Sequence, residues 1–174
     1  MSASPVVIAP VRRDELAIVR RLAHEIWHQH YPGIIGIDQI EYMLERGYSF
    51  AALESFLDGS GSGLVFAMLD DEPVGFAAYQ PGAGAGETKL DKLYVLERGR
   101  KHGVGRALVA HVEAVAHDAG CASLTLNVNR NNATAIRAYE RMGFSIRESG
   151  DFPIGGGFVM EDYIMAKPLR VPMQ

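Results

Sequence analysis

Cysteine is nearly absent from this 174-residue chain. With Cys121 alone, no internal disulfide and no cysteine-rich zinc site can be built. The sequence also lacks an uninterrupted apolar run near the ~20 residues needed to span a bilayer. Its N-terminal Val6-Val7-Ile8 stretch, between Pro5 and Pro10, has neither the basic lead nor the cleavage site of a secretory signal, so a cytoplasmic protein is expected. There is no basic excess: a net charge of −4 disfavours nonspecific nucleic-acid binding and suits cationic substrates. Apolar residues make up 48% of the chain, enough for one domain, residues 1–174, with a core of its own.

The spacing predicts an α/β order. Val6 to Arg13 reads as a strand, and Asp14 as the cap of a helix carrying Leu16, Val19, Leu22, Ala23, Ile26 and Trp27 at helical spacing. Asp38 is expected to cap a second helix and Ser49 a third, before a glycine–serine loop from Asp58 to Gly63. Leu64 to Leu69 and Val74 to Gln80 read as a hairpin, and Lys89 to Leu96 as the next strand. A helix striped by Val104, Leu108, Val112 and Val115 follows, then a strand Leu124 to Val128 and a helix from Asn132 to Met142. Phe144 to Arg147 and Phe158 to Met165 read as late strands separated by a loop from Asp151 to Gly157. Late edge strands suit a homodimer.

The most informative junction is Leu93 to Leu108, where a strand passes through Arg100-Lys101-His102-Gly103-Val104-Gly105-Arg106 directly into a helix. Backbone N–H groups at a helix start lack partners and carry partial positive charge, so this turn can cradle a phosphate. Gly103 and Gly105 carry no Cβ to hold such a group away.

Arg100-x-x-Gly103-x-Gly105 at this junction resembles the acetyl-CoA signature of the GNAT superfamily of N-acetyltransferases. Asn132-x-x-Ala135-Ile136-x-x-Tyr139-Glu140-Arg141-Met142-Gly143-Phe144 resembles the segment that follows the cradle in many members, so the likeness runs from Lys89 to Phe144. The resemblance implies a single-domain GNAT fold, a mixed sheet flanked by helices, with acetyl-CoA as cosubstrate and a small-molecule amine as acetyl acceptor. It implies that the backbone N–H of Val95, or of Leu93, stabilises the thioester carbonyl oxygen. Residues Arg100, Lys101, His102, Gly103, Val104 and Gly105 would hold the pyrophosphate, with Arg106 as an added charge. Tyr139 aligns with the tyrosine that protonates the departing sulfur, a role open to a phenol that stays protonated at neutral pH. Asn132 aligns with an asparagine on the pantetheine arm, and a helix cap would use the same residue type.

The base is left open between Glu87 and Asp91, which strand alternation places on the Leu93 and Val95 side unless a bulge intervenes. A surface charge paired with Lys89 or Lys92 is the competing reading for each, and a water-mediated base the working expectation. For the acceptor pocket, Glu25, Trp27, Tyr31 and Tyr42, with Asp38 nearby, offer aromatic faces and carboxylates for a cation. The run Asp151-Phe152-x-Ile154-Gly155-Gly156-Gly157-Phe158-x-Met160-x-Asp162-Tyr163-x-Met165 is weakly similar to bacterial polyamine acetyltransferase relatives, which ranks small amines above protein N-termini.

Two readings of other classes compete. His24-Glu25-Ile26-Trp27-His28 matches the zinc-hydrolase pattern HExxH, although Tyr31 and Ile34 stand where its extended form wants Gly and His. A noncatalytic acyl-CoA sensor would keep the cradle without turnover. A dinucleotide fingerprint would need glycine at Leu108, and a P-loop would need Gly-Lys-Ser/Thr where Gly105-Arg106-Ala107 stands.

Overall fold

In the computed structural model, which describes residues 4–59 and 61–169, every strand belongs to one seven-stranded sheet of order β1-β2-β3-β4-β5-β7-β6. Ser60, inside the expected glycine–serine loop, lies outside the described residues. The strands are β1 (Val7–Pro10), β2 (Gly63–Leu69), β3 (Glu72–Pro81), β4 (Glu87–Val95), β5 (Ser123–Asn129), β6 (Ser145–Gly155) and β7 (Phe158–Pro168). The helices are α1 (Leu16–His30), α2 (Ile37–Gly47), α3 (Phe50–Glu54), α4 (Val104–Asp118) and α5 (Ala133–Arg141). Pairing is antiparallel throughout except between β4 and β5, where α4 makes the crossover.

Helices cover both faces, which is why β3 is buried without interruption from Val74 to Tyr79. On one face α1, α2 and α3 pack Val19, Ile26, Ile40, Leu44 and Leu53 against Phe76 and Ala78. On the other, α4 lays Leu108, Val112 and Ala116 over Ala77, Leu124 and Leu126. Leu108 is fully buried, and burying such a side chain contributes roughly 1.5–3 kcal/mol. The β2–β3 hairpin closes through Asp70 and Asp71, both at positive φ, the left-handed geometry that matches strand twist.

Several sequence expectations are corrected. Asp14 caps nothing: a 3-10 turn, Arg13–Glu15, intervenes before α1, and Asp14 binds the Arg12 guanidinium instead. Asp38 lies within the first turn of α2, whose cap is Gly36, whereas Ser49 does cap α3 by accepting from Ala52 N–H at 3.1 Å. The expected loop from Asp151 to Gly157 is mostly strand, since β6 runs to Gly155 and turns back at once into β7. Three consecutive glycines at positive φ, Gly155, Gly156 and Gly157, make that reversal. A Cβ on Gly155 would strike the Tyr42 hydroxyl at 2.5 Å and one on Gly156 the Tyr42 ring at 2.7 Å, so the hairpin tip folds onto α2 only with glycine there. No helix among the described residues is long and apolar enough to cross a membrane.

Candidate active site: a cleft between diverging strands

Strands β4 and β5 stay paired only over Glu87↔Ser123, Thr88↔Leu124 and Lys89↔Thr125, although each continues further. A bulge contributes to the parting: Tyr79 of β3 faces Leu90 and Ala78 faces Lys92, leaving Asp91 as the extra residue of β4. Beyond it the two strands line a cleft of about 610 Å³. Leu96 N–H donates to Val74 O at 2.8 Å, toward β3; by ladder alternation Leu93 and Val95 turn their backbone groups the opposite way, into the cleft.

At one end of the cleft stands the N-terminus of α4. A 3-10 turn, Glu97–Gly99, leads to Lys101 at φ 68° and Gly103 at φ 74°, the residue preceding the helix. The first bond of the helix is Ala107 N–H to Gly103 O at 2.9 Å, and the amides of residues 101–106 find no acceptor among the described residues. Lys101 holds a conformation uncommon outside glycine, and such strain with successive unpaired amides is the geometry of an anion nest. A Cβ added to Gly103 or Gly105 would meet nothing within 4 Å, so open space lies in front of these amides. Arg100 lines the cleft, and Lys101, His102 and Arg106 are exposed around it. The residues present therefore fit a diphosphate: unpaired donors, a helix dipole, room and cationic side chains.

The adjoining wall comes from α5. Asn132 caps it, its Oδ1 accepting from Ala135 N–H at 3.3 Å and lying 3.2 Å from His30 Nε2. Tyr139 lines the cleft and packs against Phe144, and burial pushes its hydroxyl well above the ordinary phenol range. The opposite wall is aromatic. Trp27 packs on Tyr31 and Tyr94 with ring centroids 4.5 and 5.5 Å apart, and the Tyr31 and Tyr94 hydroxyls are 3.1 Å apart.

Of the residues the sequence nominated, Trp27, Tyr31, Leu93, Val95, Arg100, Gly105, Asn132, Tyr139 and Asp91 share this cleft. Lys101, His102, Gly103, Val104 and Arg106 do not line it but belong to the α4 start at its end, and Asp38 is exposed on α2. Glu25, Tyr42 and Glu87 lie elsewhere. Glu25 is exposed on α1, because the helix turns Ile26 and Trp27 inward. Tyr42 ties α2 to the hairpin tip, donating to Ile154 O at 3.0 Å. Glu87 accepts from Arg147 of β6 and from Gly84 N–H, which holds its carboxyl below the usual range and away from the cleft. The bulge intervenes where alternation would have put both carboxylates on the Leu93 and Val95 side: those two side chains pack toward α4 instead. Asp91, four residues along the strand from Glu87, lines the cleft, bound by Lys92 at 2.9 Å and Gln80 at 3.3 Å, with Lys89 at 3.7 Å.

Sequence reasoning missed His30, Tyr94, Lys92, Asn127 and Asp162, all lining the cleft. Tyr94 and Asp162 fall within the Leu93 to Leu108 and Asp151 to Met165 stretches but carry no signal of their own there, and the parting of β4 from β5 brings all five together. Lys92 Nζ lies 4.8 Å from the Tyr48 ring centroid. Burial foremost, then Arg100, depresses the His30 pKa. The HExxH residues take no part: His24 and His28 stack on the exposed face of α1, and His28 pairs with Glu41. Among the described residues no three His, Cys, Asp or Glu side chains converge to hold a metal ion.

This architecture matches known proteins. The family model of the acetyltransferase (GNAT) family matches residues 20–144. An uncharacterised N-acetyltransferase of Mycobacterium tuberculosis is 30% identical over 156 residues, covering 90% of this chain and 97% of the relative. A streptothricin acetyltransferase of Streptomyces lavendulae is 34% identical over 88 residues, covering 51% of this chain and 47% of the relative. The crystal structure of the PaiA N-acetyltransferase of Thermoplasma acidophilum, in complex with coenzyme A, superposes with a TM-score of 0.80 at 23% identity, covering 94% of this chain and 99% of that one. With the cleft, the unpaired amides of the α4 start and these likenesses together, the chain belongs to the GNAT family of N-acetyltransferases and uses acetyl-CoA.

Proposed function

We propose that the acetyl group goes to a primary amine of a small molecule, polyamine-like or amino-acid-like, by direct attack of the amine on the thioester. The observation that carries this reading is the continuity of one cleft from the unpaired amides of residues 101–106 to an aromatic chamber of Trp27, Tyr31 and Tyr94. A streptothricin acetyltransferase among the partial relatives supports a small-molecule acceptor.

Acetyl-CoA supplies the activated acyl carbon. The chain's own part begins with anchoring. Arg100 and the amides through Arg106 hold the diphosphate, and Asn132 borders the pantetheine path. Leu93 and Val95 N–H groups, fixed by the ladder, stand ready for the carbonyl oxygen, where negative charge grows during attack. Tyr139, kept protonated by burial, gives its proton to the departing sulfur. Of the two β4 carboxylates only Asp91 lines the cleft, and with lysine partners on its oxygens it serves as proton acceptor through water. Cys121 is no nucleophile here: it accepts from the Thr88 hydroxyl at 3.3 Å and does not line the cleft.

A thiol-release screen with acetyl-CoA against polyamines, amino acids, aminoglycosides and peptide N-termini tests the reading. Small amines should release CoA thiol in step with N-acetyl product. Release only with peptides would assign the acceptor to proteins, and acetyl-CoA binding without release for any amine would leave a sensor.

A further inference from the structure

Asp162 is a buried acid without a full complement of partners. It lies on β7 opposite Asn129 of β5, is 5% exposed and lines the cleft. Its Oδ2 accepts only a long bond from Asn127 Nδ2, 3.4 Å, and its Oδ1 has no hydrogen-bond partner among the described residues. The nearby cations are engaged elsewhere: Arg130 binds Asp151 at 2.8 Å and Ser149 at 2.9 Å, and Lys89 sits 3.7 Å from Asp91. A buried carboxylate oxygen left unpaired is costly, and proteins retain such groups where a ligand completes them.

The surroundings say which ligand. Alternation along β5 and β7 turns Leu126, Val128 and Met165 toward α4 and leaves Asn127 and Asp162 on the opposite face, the side of α1 and α2. That is the side of the aromatic chamber, and Tyr31 senses the Asp162 charge. An anionic diphosphate suits the unpaired amides and cationic side chains of the α4 start, not a carboxyl. Met43, Met160 and the rings of Trp27 and Tyr31 offer apolar surface for an alkyl stem.

We infer that Asp162 is a specificity-determining residue for the acceptor, its carboxylate receiving an alkylammonium group whose stem lies along the Trp27 and Tyr31 rings. The inference rests on the acetyltransferase reading above and adds the charge of the acceptor: it is a cation when it docks. Burial raises the Asp162 pKa, a preference that the arriving ammonium reverses; Lys89, Arg130, Asn127 and Tyr31 are the groups that face the carboxyl.

Trp27 is the single tryptophan of the chain and lines the cleft, so its emission reports occupancy. The wild-type protein, saturated with CoA, is titrated with n-butylamine and, separately, with n-butanol. Butylamine should give a saturable change that butanol does not. Asp162→Asn and Asp162→Ser should each weaken butylamine at least about tenfold, the scale of a lost charge-assisted bond. Acetyl-CoA affinity should hold within about twofold, and the melting midpoint should hold or rise, because an unpaired buried charge has been removed. With any acetylated amine, Asp162→Asn should act on KM more than on kcat. Equal butylamine affinity in wild type and variants, no saturable butylamine signal, or a butanol signal matching it would overturn the inference. So would a lowered melting midpoint in both variants, the mark of a structural carboxylate. Failure of the wild type to bind acetyl-CoA would instead strike the parent reading, which leaves the two failures distinguishable.

Discussion

Replacing Gly105 with leucine separates the cradle's architecture from its task. In the free protein the substitution should be harmless or mildly stabilising. Gly105 lies in the first turn of α4, is not in the left-handed region, and a Cβ there meets nothing within 4 Å. Leucine is a better helix former than glycine by up to about 0.8 kcal/mol, which for a chain of this size raises the melting midpoint by at most about 3 °C. The same open space is where the diphosphate has to lie. A leucine side chain there keeps ligand oxygens from the Val104, Gly105 and Arg106 amides, which have no acceptor among the described residues. Losing two such charge-assisted bonds, each about 1.5–3 kcal/mol, weakens acetyl-CoA by roughly 3–6 kcal/mol, or about 10²- to 10⁴-fold. Calorimetric titration with acetyl-CoA reads the affinity and a thermal melt reads the stability. An affinity within about threefold of wild type would refute the reasoning, because the open space would then not belong to the ligand.

Tyr139→Phe should leave acetyl-CoA affinity unchanged and lower kcat at least about tenfold in the thiol-release assay; unaltered turnover removes the phenol from the chemistry. Because burial raises the Tyr139 pKa, the wild-type rate should show no alkaline fall caused by that phenol through pH 9 or so. Glu87→Gln should leave turnover intact, since the carboxylate serves Arg147 rather than the cleft, and a severalfold loss would restore it as a candidate base. Its pKa is lowered in the folded protein, chiefly by the Arg147 hydrogen bond, so its stabilisation is present above the unfolded value of 4.5 and disappears as pH falls through the folded one. With Arg147 43% exposed, the difference from Glu87→Gln in urea denaturation should be no more than about 1 kcal/mol at pH 7 and should shrink toward pH 3.

The cradle was legible because its signal is local: two glycines, a basic lead and a strand-to-helix change of period all fall within Leu93 to Leu108. Ser49 and Asn132 were legible as capping residue types for the same reason, and both cap their helices. What escaped depends on contacts between distant segments. Strand alternation puts Glu87 and Asp91 with Leu93 and Val95, and only the pairing of β3 with β4 reveals the bulge that turns Leu93 and Val95 toward α4 instead. Tyr42 has the look of a pocket aromatic until the glycine hairpin 113 residues later is seen to close on it. Gly155 to Gly157 suggested a long loop, whereas their positive φ values serve a tight reversal between long strands. Asp162 follows Glu161 on an alternating strand, where a charged residue suggests solvent. Its burial comes from the layer of α1 and α2 above it, and no periodicity within β7 encodes that.

The most direct measurement is amide hydrogen exchange at residues 101–106 with and without CoA. Those N–H groups find no acceptor among the described residues, so they should exchange quickly alone and become protected when the diphosphate binds. Unchanged exchange there at saturating CoA, or protection confined to another part of the chain, would contradict the account.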